Sequence, residues 1–179
     1  MAYDFFTVET LFLKTIYVLF FIEIGSRRVH FAGCTTNPDA TWVTQQVRQL
    51  AWNLEDRKPS FRFLIRDRDT KFTKSFDTIF CSEGLKIIRT PIRAPNANSF
   101  SERWVRSVRN ECLDRVLIVN QKHLHSVLTE YVDYYNTERP HQGIDQSTPI
   151  LRLPQCRDGP IRRKDILGGI IHSYYRKAA

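Results

Sequence analysis

The sequence predicts an α/β domain: a mixed sheet flanked by helices. Three observations carry that expectation. The first third is dense in Val, Ile, Phe, Tyr and Thr, gathered into runs over 3–8, 15–24 and 28–35, residue types that suit a pleated, packed surface. Helical periodicity then alternates with two short apolar runs, at 61–65 and 86–89. Beyond residue 99 two amphipathic stretches follow one another with no strand between them. A hairpin-bearing sheet followed by strand–helix–strand units gives layers of this kind.

Each element has a local reason. Gly25-Ser26 separates the second and third runs as a tight turn, which reads as a hairpin. Asn37-Pro38-Asp39 reads as a helix start, with Asn37 as the cap and Pro38 in the first turn. Val43, Val47, Leu50, Ala51 and Leu54 continue it at helical spacing. The run Phe61 to Ile65 is a strand that delivers Asp67 just past its end. A helix is predicted over 70–83, stopping near Gly84, and a strand over 86–89. Pro91 to Ser99 is a loop by composition. Trp104, Val108 and Cys112 then mark one helical face, and Leu124, Val127, Leu128, Tyr131 and Tyr135 another. Trp42, Trp52 and Trp104 are assigned to the core. Residues 1–150 form the expected domain, and the Pro- and Arg-containing tail 151–179 is expected to pack loosely or extend.

The bulk properties narrow the class. A chain of 179 residues with 42% apolar and 26% charged content is an ordinary single domain. It carries 27 Lys+Arg against 19 Asp+Glu, a net charge of +8. The pI is near 9.5. That surplus favours polyanions, of which nucleic acid is the commonest. Cys34, Cys81, Cys112 and Cys156 are far apart, which argues against a zinc module and a disulfide framework and fits reduced cytoplasmic thiols. Leu11 to Ile24 is apolar but interrupted by Lys14 and Glu23, too short to span a bilayer, and no signal peptide opens the chain. No membrane partner is expected.

Three carboxylates are candidates for chemistry. Asp4 lies in the first strand, Asp67 at the mouth of the fourth, and Glu102 at the start of a helix. A mixed sheet can bring all three to one end, and convergent carboxylates suit a pair of hard Mg²⁺ ions. Two such ions roughly 3.5–4 Å apart stabilise both the attacking and leaving oxygens of an in-line phosphoryl displacement. Spacing alone does not choose between a metal site and ordinary surface charge. A strand-end aspartate is by default a solvated charge, and a first-turn glutamate is favoured by the helix dipole. Asp4 is harder to place that way, because a charge among Tyr3, Phe5 and Phe6 in a central strand is costly unless paired or metal-bound.

Further motifs occur in order: Asp4-Phe-Phe-Thr-Val, Arg66-Asp67-Arg-Asp69-Thr-Lys-Phe-Thr73 and Pro95-Asn-Ala-Asn-Ser-Phe-Ser-Glu102-Arg103. Tyr134-Tyr-Asn-Thr-Glu-Arg-Pro-His141-Gln-Gly and Ser147-Thr-Pro149 follow. Together, over nearly all of residues 3–150, these resemble the integrase catalytic core of bacterial insertion-sequence transposases, the group that includes retroviral integrases. The resemblance implies a ribonuclease-H-like fold. It also implies an Asp-Asp-Glu triad, here Asp4, Asp67 and Glu102, that binds two divalent ions, Mg²⁺ with Mn²⁺ as a substitute. The implied activity is strand cleavage at an element's end followed by transfer to target DNA, in a homo-oligomer associated with the bacterial nucleoid.

The match has departures. Thirty-four residues lie between Asp67 and Glu102, one fewer than in many relatives. Asp69 and Ser99 stand where relatives often carry glycine, and Asp69 is read as a turn residue or a charge supporting the site. Relatives also carry a helix-turn-helix region ahead of the core, whereas Asp4 lies close to Met1. A fragment with a fraying first strand that only binds DNA is therefore one alternative, and a ribonuclease-H-like nuclease without joining activity is another. Arg93, Arg103, Arg106 and Arg109 are the expected DNA-backbone contacts, with Arg89 and Arg115 flanking them and Arg162-Arg163-Lys164 as a second basic cluster. His123 and His125 are two apart and do not face each other, and His141 is expected to pack or cap.

Overall fold

The computed structural model describes residues 1–55, 63–66, 78, 81, 86–89, 99–151 and 158–176. Strands β1 (Ala2–Glu9), β2 (Thr15–Ile22), β3 (Val29–Thr35), β4 (Phe63–Arg66) and β5 (Lys86–Arg89) form one sheet in the order β3-β2-β1-β4-β5. The β1–β2 and β2–β3 pairs are antiparallel, whereas β4 runs parallel to β1 and β5 parallel to β4. Helices α1 (Ala40–Glu55), α2 (Ser99–Glu111) and α3 (Gln121–Thr137) complete the layers. The helix predicted over 70–83 lies outside the described residues except for Thr78 and Cys81, both helical.

The sheet is mixed and covered on both faces, and β2 shows why. Its sequence, Thr-Ile-Tyr-Val-Leu-Phe-Phe-Ile, is apolar almost throughout, as a doubly covered strand requires. Ile16, Val18, Phe20 and Ile22 join the core under α2 and α3, while Leu19 and Phe21 join the core under α1. β1 alternates in the same way, with Ala2, Phe6 and Val8 on the first face and Tyr3 on the second. Fraying of β1 is not observed: Ala2 pairs with Ile65, and the Ile65 N–H donates to the Met1 carbonyl at 2.9 Å.

Three expectations are corrected. The α1 cap is Asp39, whose carboxylate accepts from the Trp42 N–H at 2.7 Å. Asn37 belongs to the turn leaving β3, donating its N–H to Thr35 Oγ1 at 3.2 Å. Trp52 is 77% exposed, because two residues beyond buried Leu50 is a rotation of about 200° around the helix. The tail is neither loose nor extended over 161–176. β6 (Ile161–Ile166) and β7 (Ile171–Arg176) pair as an antiparallel hairpin. Its turn buries Ile166 and Leu167 in the core, and Glu130 of α3 accepts from the Leu167 N–H at 2.7 Å. Lys164 meets Glu138 at 2.7 Å, so part of the second basic cluster holds the hairpin down.

The Tyr134–Gly143 segment acts as a clamp at the end of α3. Buried Asn136 accepts from the Val29 N–H at 2.9 Å and donates to the Val29 carbonyl at 2.8 Å, satisfying the outer edge of β3. Arg139 makes a two-pronged ion pair with Glu111 at the end of α2, with Nη2 at 2.7 Å and Nε at 3.0 Å. The Tyr131 hydroxyl donates to the same carboxylate at 2.9 Å. His141 packs rather than caps: its ring lies edge-on to Tyr135 at 4.5 Å, and Nε2 donates to the Tyr135 carbonyl at 3.1 Å.

Replacing Asn136 by Ala strands two backbone groups of an edge strand, and urea unfolding is expected to show a loss of about 2–4 kcal/mol. His141 gives a pH signature. Burial pulls its imidazole below the ordinary value of 6.5, against the opposing pull of the Tyr135 carbonyl. The unfolded chain binds a proton that the folded ring resists, so this contribution is intact above 6.5 and lost as pH falls through the lowered value. His141→Gln is expected to reduce the drop in urea midpoint between about pH 7.5 and about pH 5.5.

Candidate active site

Strand periodicity and one tryptophan bring two of the three predicted carboxylates together. Along β1 the even positions turn toward α2, so Asp4 shares a face with Phe6 and Val8. In register it stands opposite Phe20 of β2. Trp104 is fully buried, with its ring 4.1 Å from Phe20 and 5.7 Å, edge-on, from Phe6. The indole is thus packed on the strand neighbour and the cross-strand neighbour of Asp4. Ser101, Trp104 and Val108 form the buried face of α2, so Glu102, Arg106 and Arg109 line the adjacent flank.

Asp4 and Glu102 open onto one cavity of about 500 Å³, whose wall also includes Arg106, Arg109, Asn110 and Asp114. Asp4 is partly buried and accepts from the Phe5 N–H at 2.7 Å. Glu102 is exposed, in the first turn of α2 where the helix dipole favours an anion. Strand β4, the neighbour of β1, carries the chain to Arg66, the residue before Asp67. Asp67, Asp69 and Arg93 themselves lie outside the described residues.

The arginines divide. Arg109 is a tether as well as a cation: Nη2 donates to the Thr7 carbonyl at 2.7 Å, and the guanidinium lies 5.7 Å from the Phe6 ring centroid. Arg106 is exposed on the cavity wall. Arg103 is turned to the other flank of α2, where it lines a second cavity with Arg27 and Arg139. Arg115 donates to the Asn110 carbonyl at 3.2 Å.

Asp114, on the 3₁₀ turn Leu113–Arg115 that follows α2, went unnoticed in the sequence. The signal was present as a spacing of four through Glu102, Arg106, Asn110 and Asp114. Carboxylate and amide oxygens are the donors that hard divalent cations take, and this wall supplies them. Among the described residues no three His, Cys, Asp or Glu side chains form a metal-holding group.

The two cavity arginines differ in a measurable way. Arg109→Ala breaks a bond to the backbone of β1 and is expected to cost about 1–2 kcal/mol in chemical denaturation, while Arg106→Ala stays within about 0.5 kcal/mol of the parent.

Residues 83–149 match the family model described as integrase core domain. No curated protein matches the sequence. Among solved structures, the catalytic core domain of HTLV-2 integrase in complex with magnesium (trimeric form) superposes with a TM-score of 0.63 at 12% identity, over 83% of this chain and 90% of that one. The catalytic core of BIV integrase gives 0.56 at 16% identity, with the same coverages of 83% and 90%. A chain of the simian T-cell lymphotropic virus intasome in complex with PP2A regulatory subunit B56 gamma gives 0.60 at 10% identity, over 98% of this chain and 66% of that one. Among the described residues no helix is long and apolar enough to cross a membrane. The five-stranded mixed sheet with its flanking helices is the ribonuclease-H-like fold of these cores, and residues 83–149 of this chain match the integrase core domain model.

Proposed function

We propose that residues 1–150 form the catalytic domain of a DNA transposase of the bacterial insertion-sequence type, which cuts and rejoins DNA strands with divalent metal. The observation that carries this reading is the shared cavity of Asp4 and Glu102. Asp4, Glu102 and Asp67 would hold two Mg²⁺ ions, with Mn²⁺ as a substitute. When bound, such ions lower the pKa of the attacking hydroxyl and neutralise charge developing on the phosphoryl group.

The chain's own residues do the rest. Arg106 offers an exposed positive charge to a backbone phosphate beside the carboxylates, and Arg109 offers one tethered to the Thr7 carbonyl. Asp4 is held in place by the Phe5 N–H, and Glu102 by the buried Trp104 two residues on. Both arginines place DNA without reading its sequence. Arg93 and the homo-oligomeric, nucleoid-associated state belong to the same reading.

The test is a strand-transfer assay with pre-cut DNA ends in Mg²⁺ or Mn²⁺. The parent protein is expected to join ends to target DNA, and Asp4→Asn or Glu102→Gln to lower the rate by roughly 100-fold or more with folding intact. Cleavage without joining would instead identify a nuclease. Absence of metal-dependent activity, with salt-sensitive DNA binding retained, would identify a DNA-binding remnant.

A further inference from the structure

The Tyr134–Gly143 segment does more than clamp α3. Its last residues, Arg139 to Gly143, form one wall of a cavity of about 420 Å³ on the flank of α2 opposite Glu102. Arg27 from the β2–β3 turn and Arg103 from α2 form the other walls, with Phe100, Tyr135, Gln142 and Gln146 around them. Three guanidiniums line this space, and among the described residues no carboxylate does.

The cations differ in their commitments. Arg139 is neutralised by its two-pronged pair with Glu111. Arg27 is held by a ring and a carbonyl: it stacks over the Phe100 ring at 3.9 Å and donates to the Ile24 carbonyl. Its backbone lies at φ 65°, a left-handed conformation that a residue with a Cβ adopts only when its surroundings impose it. Burial, and then the positive charge of Arg103, lower its pKa, so the two guanidiniums repel one another across the cavity. Gly143 backs onto Arg27 closely enough that a Cβ would stand 3.6 Å from its Nε and Nη2. A bound anion would relieve the repulsion, and planar guanidiniums with amide donors suit the oxygens of a phosphodiester.

We propose that this cavity is a second phosphate-binding site, in which Arg27 and Arg103 grip the sugar–phosphate backbone of DNA on the side of α2 away from Asp4 and Glu102. The proposal deepens the transposase reading and rests on it for the choice of DNA as the phosphate donor. Helix α2 would then be gripped by DNA on both flanks.

The test is fluorescence anisotropy of a labelled DNA duplex across a salt series, in EDTA so that no metal chemistry intervenes. Arg103→Gln and Arg27→Gln are each expected to weaken binding several-fold and to reduce the slope of log affinity against log salt by about 0.9. Arg103→Lys and Arg27→Lys should retain the slope. Arg103 is exposed on a helix, so its variant carries the test if the Arg27 turn fails to fold. Unchanged affinity and slope in folded Arg103→Gln protein would overturn the proposal. So would a melting temperature raised by inorganic phosphate in the parent but not in the variants, with the DNA slope unchanged; that result assigns a small free anion. A parent protein inactive in strand transfer whose slope still falls in both Gln variants would retire the transposase reading and leave the phosphate site standing.

Discussion

The packing of Trp104 against Phe6 and Phe20 is the constraint on which the site depends. The indole lies 4.1 Å from one ring and 5.7 Å from the other, with no solvent exposure. Burying an indole of this kind stabilises the fold by a few kcal/mol, more than any surface charge pair contributes. Apolar packing therefore sets where α2 lies, and the carboxylate two residues earlier is carried with it. The pocket that Asp4 and Glu102 share is thus assembled by its apolar surroundings.

The same helix has a second fixed end. Glu111 is held by Arg139 and Tyr131, so α2 is seated at its middle by aromatic rings and at its end by a partly buried ion pair. Asn136 at the same time closes the open edge of β3. The Tyr-Asn-x-x-Arg-Pro-His segment, distant in sequence from the carboxylates, thus holds the helix that presents one of them. Arg139 of the same segment also lines the cavity on the other flank, so one short run of residues both braces α2 and walls that space.

Much of the fold was legible because it follows from periodicity. The apolar run over 15–24 announced a packed strand, and Trp104, Val108 and Cys112 announced a buried helical stripe; these three are buried. Errors arose where a local rule met a geometric choice. Asn37 and Asp39 are both good caps, and the turn out of β3 decided between them. Trp52 looked like core by composition but stands on the solvent side of α1. The tail's Pro and Arg content suggested an extended segment, yet Ile166, Leu167 and Lys164 found partners on α3 and beside it.

The sequence by itself determined strands β1 to β5, helices α1 to α3, their order, and the side of β1 on which Asp4 must lie, because alternation along a strand admits only two faces. It also placed Glu102 at the start of a helix. What tertiary structure decided was which charges meet. Arg103 and Arg106 are three apart in sequence, yet they line different cavities, since a helix wedged against a sheet divides its flanks between separate spaces. Arg27 joins Arg103 from a distant turn, through a stacking contact with Phe100 that no spacing rule encodes. Local chemistry is written along the chain, whereas convergence comes from packing, whose partners are chosen by shape and burial across the whole domain.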